Sequence, residues 1–101
     1  MGKRISILGS TGSIGVNALK VVSHLKDELE VVYLSANKNM TLLLKQIVQY
    51  QPRAVCIVDE KAYSSIKEEL SSLNIEILVG RTGLLELAKR TDVDVMLNAI
   101  V

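Results

Sequence analysis

Tryptophan and phenylalanine are absent from the sequence, and three tyrosines are its whole aromatic content. The apolar fraction of 49% is therefore carried by Val, Ile, Leu and Ala, and aliphatic runs with few aromatics suit buried parallel strands. A single cysteine, Cys56, excludes an intrachain disulfide and any cysteine-based metal cage. It lies inside an apolar run, where a buried structural thiol is expected rather than a nucleophile. Neither charge sign dominates: twelve basic and eleven acidic residues are interspersed and leave a net charge of +1. That balance gives no electrostatic footprint for nucleic acid or an anionic membrane. Apolar runs fall far short of the ~20 residues that span a bilayer, and the first residues lead straight into a strand. A soluble, cytoplasmic protein is expected.

What is present is an alternation. Residues 4–8 (Arg-Ile-Ser-Ile-Leu) signal a short strand that runs into Gly9-Ser-Thr-Gly-Ser-Ile-Gly15, where glycines break the strand and open a helix. From Ile14 to Lys26 the residues Ile14, Ala18, Val21, Val22 and Leu25 recur at helical spacing. Residues 29–35 read as a second strand, 36–39 as a polar turn, and Leu43, Leu44, Ile47 and Val48 mark a helix that Pro52 stops. Residues 54–58, 75–79 and 93–101 give three more strand signals, with helices over 60–73 and 82–90. Five strands alternating with four helices predict an α/β fold: a doubly wound, mainly parallel Rossmann-type sheet covered on both faces. A chain of 101 residues suits one core. No repeat, low-complexity stretch or linker interrupts it, so residues 1–101 read as one domain. The last strand signal ends at Val101 with no helix after it, and a C-terminally truncated fragment is expected.

In open parallel sheets ligands bind beyond the carboxyl ends of the strands, where strand order reverses. That places the Gly9, Gly12, Gly15 turn at the site. Its glycines permit a tight turn, close approach of backbone to a pyrophosphate, and close packing of helix on strand. Backbone N–H groups from Thr11 to Ile14 would face phosphate oxygens, with the Thr11 and Ser13 hydroxyls as further donors. An ordinary strand-to-helix turn can also carry these glycines, but the flanking strand and helix that the motif requires are both indicated here. A dinucleotide or nucleoside phosphate is expected. The second strand ends without the Asp or Glu that would hold the ribose hydroxyls of NAD. Ser35, Asn37, Lys38 and Asn39 stand there instead, neutral donors and one cation suited to a 2′-phosphate, which favours NADP. Lys38 can also be read as a solvated loop lysine, and Asn39 as a helix N-cap.

The fifth strand is expected beside the first, which brings Asn98, Ala99 and Ile100 near the cofactor path. Ala99 leaves room there, and Asn98 is read chiefly as a tie for the local backbone. His24 near the end of the first helix suits a helix terminus. Asp92 and Asp94 precede the fifth strand, the wrong end for the site. Glu60, Lys61, Lys67, Glu68 and Glu69 read as a solvated helix face.

The segment Ile-Leu-Gly-Ser-Thr-Gly-Ser-Ile-Gly, from Ile7 to Gly15, resembles the nucleotide-binding signature of the 1-deoxy-D-xylulose 5-phosphate reductoisomerases. Ser35-Ala-Asn-Lys-Asn39 is similar to that family's Ala-Gly-Lys-Asn or Ala-Asn-Lys-Asn turn, and Asn-Ala-Ile-Val at the end resembles its next cofactor-side strand. The resemblance spans the chain. It implies that Thr11, Gly12, Ser13 and Ile14 contact the pyrophosphate side, that Asn37, Lys38 and Asn39 lie against the adenosine 2′-phosphate, and that Ala99 is a lesser contact; Gly9, Ser10 and Ser35 complete the expected cofactor-binding set. Asn37 departs from the glycine of many members. Asn tolerates the left-handed region better than other residues with a Cβ, so the turn is expected to survive.

The resemblance further implies an NADPH-dependent enzyme that rearranges and reduces 1-deoxy-D-xylulose 5-phosphate to 2-C-methyl-D-erythritol 4-phosphate in non-mevalonate isoprenoid biosynthesis. Such enzymes use a divalent cation, Mg or Mn, and are typically homodimers. Their metal-binding Asp-Ser-Glu segment, substrate-phosphate residues and lid lie downstream of the residues in hand. The chain is accordingly expected to bind cofactor and to carry no catalytic or metal-ligating residue. Two alternatives stay open at this point. One is the N-terminal domain of a semialdehyde dehydrogenase-like reductase, whose catalytic cysteine comes later in the chain than Cys56. The other is an NADP-responsive binding module without chemistry.

Overall fold

A computed structural model describes residues 2–25 and 27–100. The chain runs β1 (Lys3–Leu8), α1 (Ser13–His24), β2 (Leu29–Ala36), α2 (Met40–Tyr50), β3 (Ala54–Ile57), α3 (Glu60–Ser65), α4 (Lys67–Ser71), β4 (Glu76–Val79), α5 (Gly80–Ala88) and β5 (Val95–Asn98). The five strands form one sheet in the order β4-β3-β2-β1-β5, and every pairing is parallel. Strand order thus reverses at β1, with β5 on its other side as expected. The predicted ends at Lys26 and Val101 lie outside the described residues. Among those residues, no helix is long and apolar enough to cross a membrane.

Aliphatic side chains alternate across the sheet and make two apolar layers. On one face Ile5, Ile7, Val31, Leu34, Val55 and Ile57 pack with Leu19 and Val22 of α1, Leu43 and Ile47 of α2, and Ile66 and Leu70. On the other, Leu8, Val32, Tyr33, Ala54, Cys56 and Leu78 meet Leu87, with Leu84 and Ala88 beside it. Between Ile5 and Ser6 the β1–β2 register slips, because Val31 pairs with Ile5 and Tyr33 with Ser6. Val32 is the extra residue, a bulge that puts Val32 and Tyr33 on one face and Leu34 back on the other.

The second face is covered by α5 over β3 and β4 but left open at β5, where Val95 and Met96 are exposed, as a last strand signal with no helix after it implies. Other expectations are corrected. The helix predicted over 60–73 is two, giving five helices rather than four among the described residues. Ile66 leaves the helical region at φ −123°, ψ 15°, ending α3 and starting α4. Its side chain is buried in the core, and the hydroxyls of Ser64 and Ser65 donate back to the carbonyls of Glu60 and Ala62. Such local bonds compete with a continuous helix. Along α1, Ile14 and Val21 are more than half exposed, at 54% and 57%, and the buried face is Gly15, Leu19 and Val22. Val48 of α2 is exposed as well. Helix α2 ends where Gln51 takes the left-handed region at φ 48° and donates its N–H to Ile47 O, just before Pro52.

Candidate functional site

The turn between β1 and α1 is built by three glycines with three different constraints. Gly9 has φ +82°, and a Cβ there would stand 3.0 Å from the Ala99 carbonyl carbon. A Cβ on Gly15 would collide with the Gly9 carbonyl oxygen and lie 2.7 Å from Ser10 Cα, so this glycine lets the helix seat on the turn. Gly12 is different. Its backbone is extended at φ −78°, and the nearest protein atom to an added Cβ is Gly9 O at 3.7 Å, an ordinary contact. Nothing in the protein requires a glycine there; the space beside it faces a cavity. Gly12 is also the N-cap of α1 and supplies no side-chain cap, which leaves first-turn N–H groups for an outside acceptor.

The turn is fastened to β2. Gly9 N–H donates to Ser35 Oγ at 2.8 Å and Ser10 N–H to Ser35 O at 2.8 Å. Ser10 is fully buried, with Oγ 2.7 Å from Gln46 Oε1 and 3.2 Å from Ser35 O, while Gln46 Nε2 donates to Ser10 O at 2.9 Å. The Ser10 hydroxyl is thus consumed inside the protein and Ser10 is not on the cavity wall, so of this expected cofactor contact only the backbone is left to a ligand. Ser13 and Ile14 open α1 with exposed side chains outside the cavity lining.

The cavity holds about 570 Å³ and lies along the carboxyl ends of the strands. Gly9, Thr11 and Gly12 follow β1; Ser35, Asn37, Lys38 and Asn39 close and follow β2; Ala99 and Ile100 follow β5. Eight of the residues singled out from the sequence as cofactor contacts therefore share one wall system: Gly9, Thr11, Gly12, Ser35, Asn37, Lys38, Asn39 and Ala99. Sequence reasoning missed Ala36, Val58, Arg81 and Leu84, which also line it. The signal was available in principle, since Val58 follows β3 and Arg81 follows β4 at the same edge. The lining carries two cations, Lys38 and Arg81, and no carboxylate, a balance suited to an anionic ligand.

The loop after β2 is held from both sides. Asn39 caps α2, its Oδ1 accepting from Leu42 N–H at 3.2 Å, as its alternative reading expects. Lys38 Nζ stands 3.9 Å from Asp59 Oδ2, while Asp59 Oδ1 caps α3 by accepting from Lys61 and Ala62 N–H. Lys38 itself remains 76% exposed. Asn37 does not use the left-handed region, since among the described non-glycine residues only Gln51 has a positive φ. The turn survives without that tolerance being needed, a correction to its expected role. At β5, Asn98 Oδ1 accepts from Ile100 N–H at 3.1 Å, the local tie anticipated for it.

Residues read as structural stay clear of the cavity. Cys56 is fully buried with Sγ 3.6 Å from Gly80 O, and burial pushes its thiol up to about 11, leaving no thiolate for nucleophilic work. His24 sits in the last turn of α1, and Asp92 and Asp94 lie before β5 at the opposite edge. Among the described residues no three His, Cys, Asp or Glu side chains converge as metal ligands.

Comparison with known proteins places this arrangement. The family profile for 1-deoxy-D-xylulose 5-phosphate reductoisomerase matches residues 5–101. The reductoisomerase of Halothermothrix orenii is 41% identical over 101 residues, which is 100% of this chain and 26% of that protein. That of Glaesserella parasuis is 43% identical, over 98% of this chain and 26% of the relative. Among solved structures, the reductoisomerase from Zymomonas mobilis in complex with NADPH superposes with a TM-score of 0.89 at 29% identity, covering 99% of this chain and 26% of that one. A DOX-P reductoisomerase in complex with NADPH, fosmidomycin and magnesium gives 0.89 at 27% identity, over 97% of this chain and 24% of its own. The chain thus spans about a quarter of the length of the relatives it matches. It belongs to the 1-deoxy-D-xylulose 5-phosphate reductoisomerase family, and not to the semialdehyde dehydrogenases.

Proposed function

We propose that residues 1–101 form the NADPH-binding domain of an oxidoreductase that rearranges and reduces 1-deoxy-D-xylulose 5-phosphate to 2-C-methyl-D-erythritol 4-phosphate in non-mevalonate isoprenoid biosynthesis. The observation that carries this reading is Gly12: it borders the cavity, the protein leaves room for a Cβ, and its helix lacks a side-chain cap. A glycine held open in that way fits a pyrophosphate pressed against the backbone. Thr11, Gly12, Ser13 and Ile14 would hold the pyrophosphate through backbone N–H groups and hydroxyls, with Ser10 contributing backbone only. Ser35, Asn37 and Asn39 would border the adenosine ribose, and Lys38 would meet the 2′-phosphate. Ala99, small and buried against Gly9, would leave a path for the nicotinamide half.

The bound nicotinamide supplies a hydride; what this chain contributes is grip, orientation and discrimination between phosphorylated and plain cofactor. The described residues do not fit the family's divalent cation, since no group of potential ligands converges, and no step through a metal is assigned to them. Catalytic residues, the sugar-phosphate site, a homodimeric assembly and residence in the cytoplasm belong to the proposal for the whole enzyme.

Fluorescence titration of the full-length protein with NADPH and NADH tests the reading. Saturable binding with NADPH preferred is expected, and Lys38→Ala should cost NADPH roughly tenfold in affinity, about one charge-assisted contact, while leaving NADH unchanged. Equal affinity for the two cofactors in the unmodified protein would remove the assignment of Lys38.

A further inference from the structure

Arg81 is the one charged residue of the cavity lining whose role the nucleotide motif does not explain. It occupies the first turn of α5, which begins directly at Gly80, one residue beyond β4. Gly80 takes φ +80° and meets no neighbour within 4 Å of an added Cβ, so a sharp backbone turn sets Arg81 at the rim of the sheet edge. Among the described residues the other arginines engage protein groups. Arg53 pairs with Glu30, Arg90 with Glu76 and Glu86, and Arg4 Nη1 reaches Asp92 O. Arg81 is exposed and has no such partner.

Strand order fixes what Arg81 stands next to. Along the carboxyl edge the loops follow β4, β3, β2, β1 and β5 in turn, so the wall contributions read Arg81 and Leu84, Val58, the 35–39 loop, the glycine turn, and Ala99 with Ile100. A dinucleotide with its pyrophosphate at Gly12 and its adenosine ribose at 37–39 carries its base outward, past the ribose, over β3 and β4. There the floor is apolar, made by Val58 and by Leu84, which is one helical turn beyond Arg81 on the same face of α5. A guanidinium is planar, weakly hydrated and stacks on π faces, which a lysine ammonium cannot do in the same way.

We propose that Arg81 is a specificity-determining contact for adenine, its guanidinium covering one face of a base whose other side rests on Val58 and Leu84. The proposal rests on the reading of the cavity as the NADPH site. It separates two tasks: Lys38 reads the 2′-phosphate, and Arg81 reads the base common to NADPH and NADH. Adenosine-containing ligands should be held by Arg81 whether or not they carry that phosphate.

The test uses the full-length protein with NADPH, NADH, 2′,5′-ADP and 5′-AMP as probes, by calorimetry. Arg81→Ala is expected to weaken all four by a similar factor, roughly five- to tenfold, the scale of a partly desolvated cation–π contact. Arg81→Lys, which keeps the charge and loses the plane, should recover little of it. Since Arg81 is exposed, neither change threatens the fold. Loss confined to NADPH and 2′,5′-ADP would overturn the proposal by making Arg81 a phosphate ligand, and unchanged affinities would overturn it outright. Failure of the unmodified protein to bind either dinucleotide would instead sink the cavity assignment on which it rests.

Discussion

The two edges of the sheet treat their cations in opposite ways. At the amino-terminal edge the groups satisfy one another. Arg90 forms a bidentate pair with Glu76 at 2.9 and 2.6 Å, reaches Glu86 at 3.0 Å, and lies 5.1 Å over the Tyr33 ring. Tyr33 donates to Asp92, and Asp94 accepts from Arg4 N–H at 2.7 Å. These contacts stitch β2, β4, α5 and the approach to β5 into one network. At the carboxyl edge Lys38 is mostly exposed, Arg81 has no protein partner among the described residues, and α1 begins uncapped. Polar groups that close on each other hold the sheet; polar groups left open around a concavity await a ligand.

The comparison breaks most visibly at the glycines. Gly12→Val should leave the protein folded and lower NADPH affinity by roughly a hundredfold, through a steric block of the few-kcal/mol kind that overpacking produces. Gly15→Ala should instead lower stability by about 1–3 kcal/mol, because its methyl meets the Gly9 and Ser10 backbone. Thermal unfolding and titration of both variants separate the effects, and an unstable Gly12→Val would mean that the protein itself needs that glycine.

Arg90→Ala tests the closed edge. A loss of about 1 kcal/mol in stability is expected, discounted because Glu76 is half exposed, with cofactor affinity unchanged. Weaker NADPH binding in a folded Arg90→Ala protein would couple the two edges and spoil the contrast.

The smallest effect is acid sensitivity. Hydrogen bonding to Arg90 holds the Glu76 carboxyl below the usual carboxylate range, and the Tyr33 hydroxyl does the same for Asp92. A lowered carboxyl contributes stability that is fully present above its unfolded value, near pH 4, and is lost as pH falls through the folded one. The unfolding temperature should therefore drop more steeply below about pH 4 in the unmodified protein than in Glu76→Gln. Parallel profiles would remove Glu76 from the closed network's pH response.

How much of this was legible in the sequence follows from what each feature depends on. Strands and their order of appearance were readable because aliphatic runs and glycine breaks are local signals. The interruption at Ile66 was not, because it arises from back-bonding hydroxyls and a core position that a helical pattern does not reveal. The glycine turn and the 35–39 loop were found because motif and topology coincide there. That the Ser10 hydroxyl is spent inside the protein could not be read from the motif, because its partner, Gln46, comes from a helix well separated in sequence. Val58, Leu84 and Arg81 escaped notice since their place beside the site depends on which side of β2 the later strands fall.

The extra residue in β2 gives the strand two independent phases. Below Val32 its side chains are assigned to faces by one count, and beyond Tyr33 by another. Ser35, which anchors the nucleotide turn, and Tyr33, which belongs to the closed network, are therefore not locked to the facing of the strand's first half. Without the extra residue, strict alternation from Val31 would send the Ser35 side chain to the opposite face, away from Gly9, so the bulge is what aims the end of the strand at the nucleotide turn.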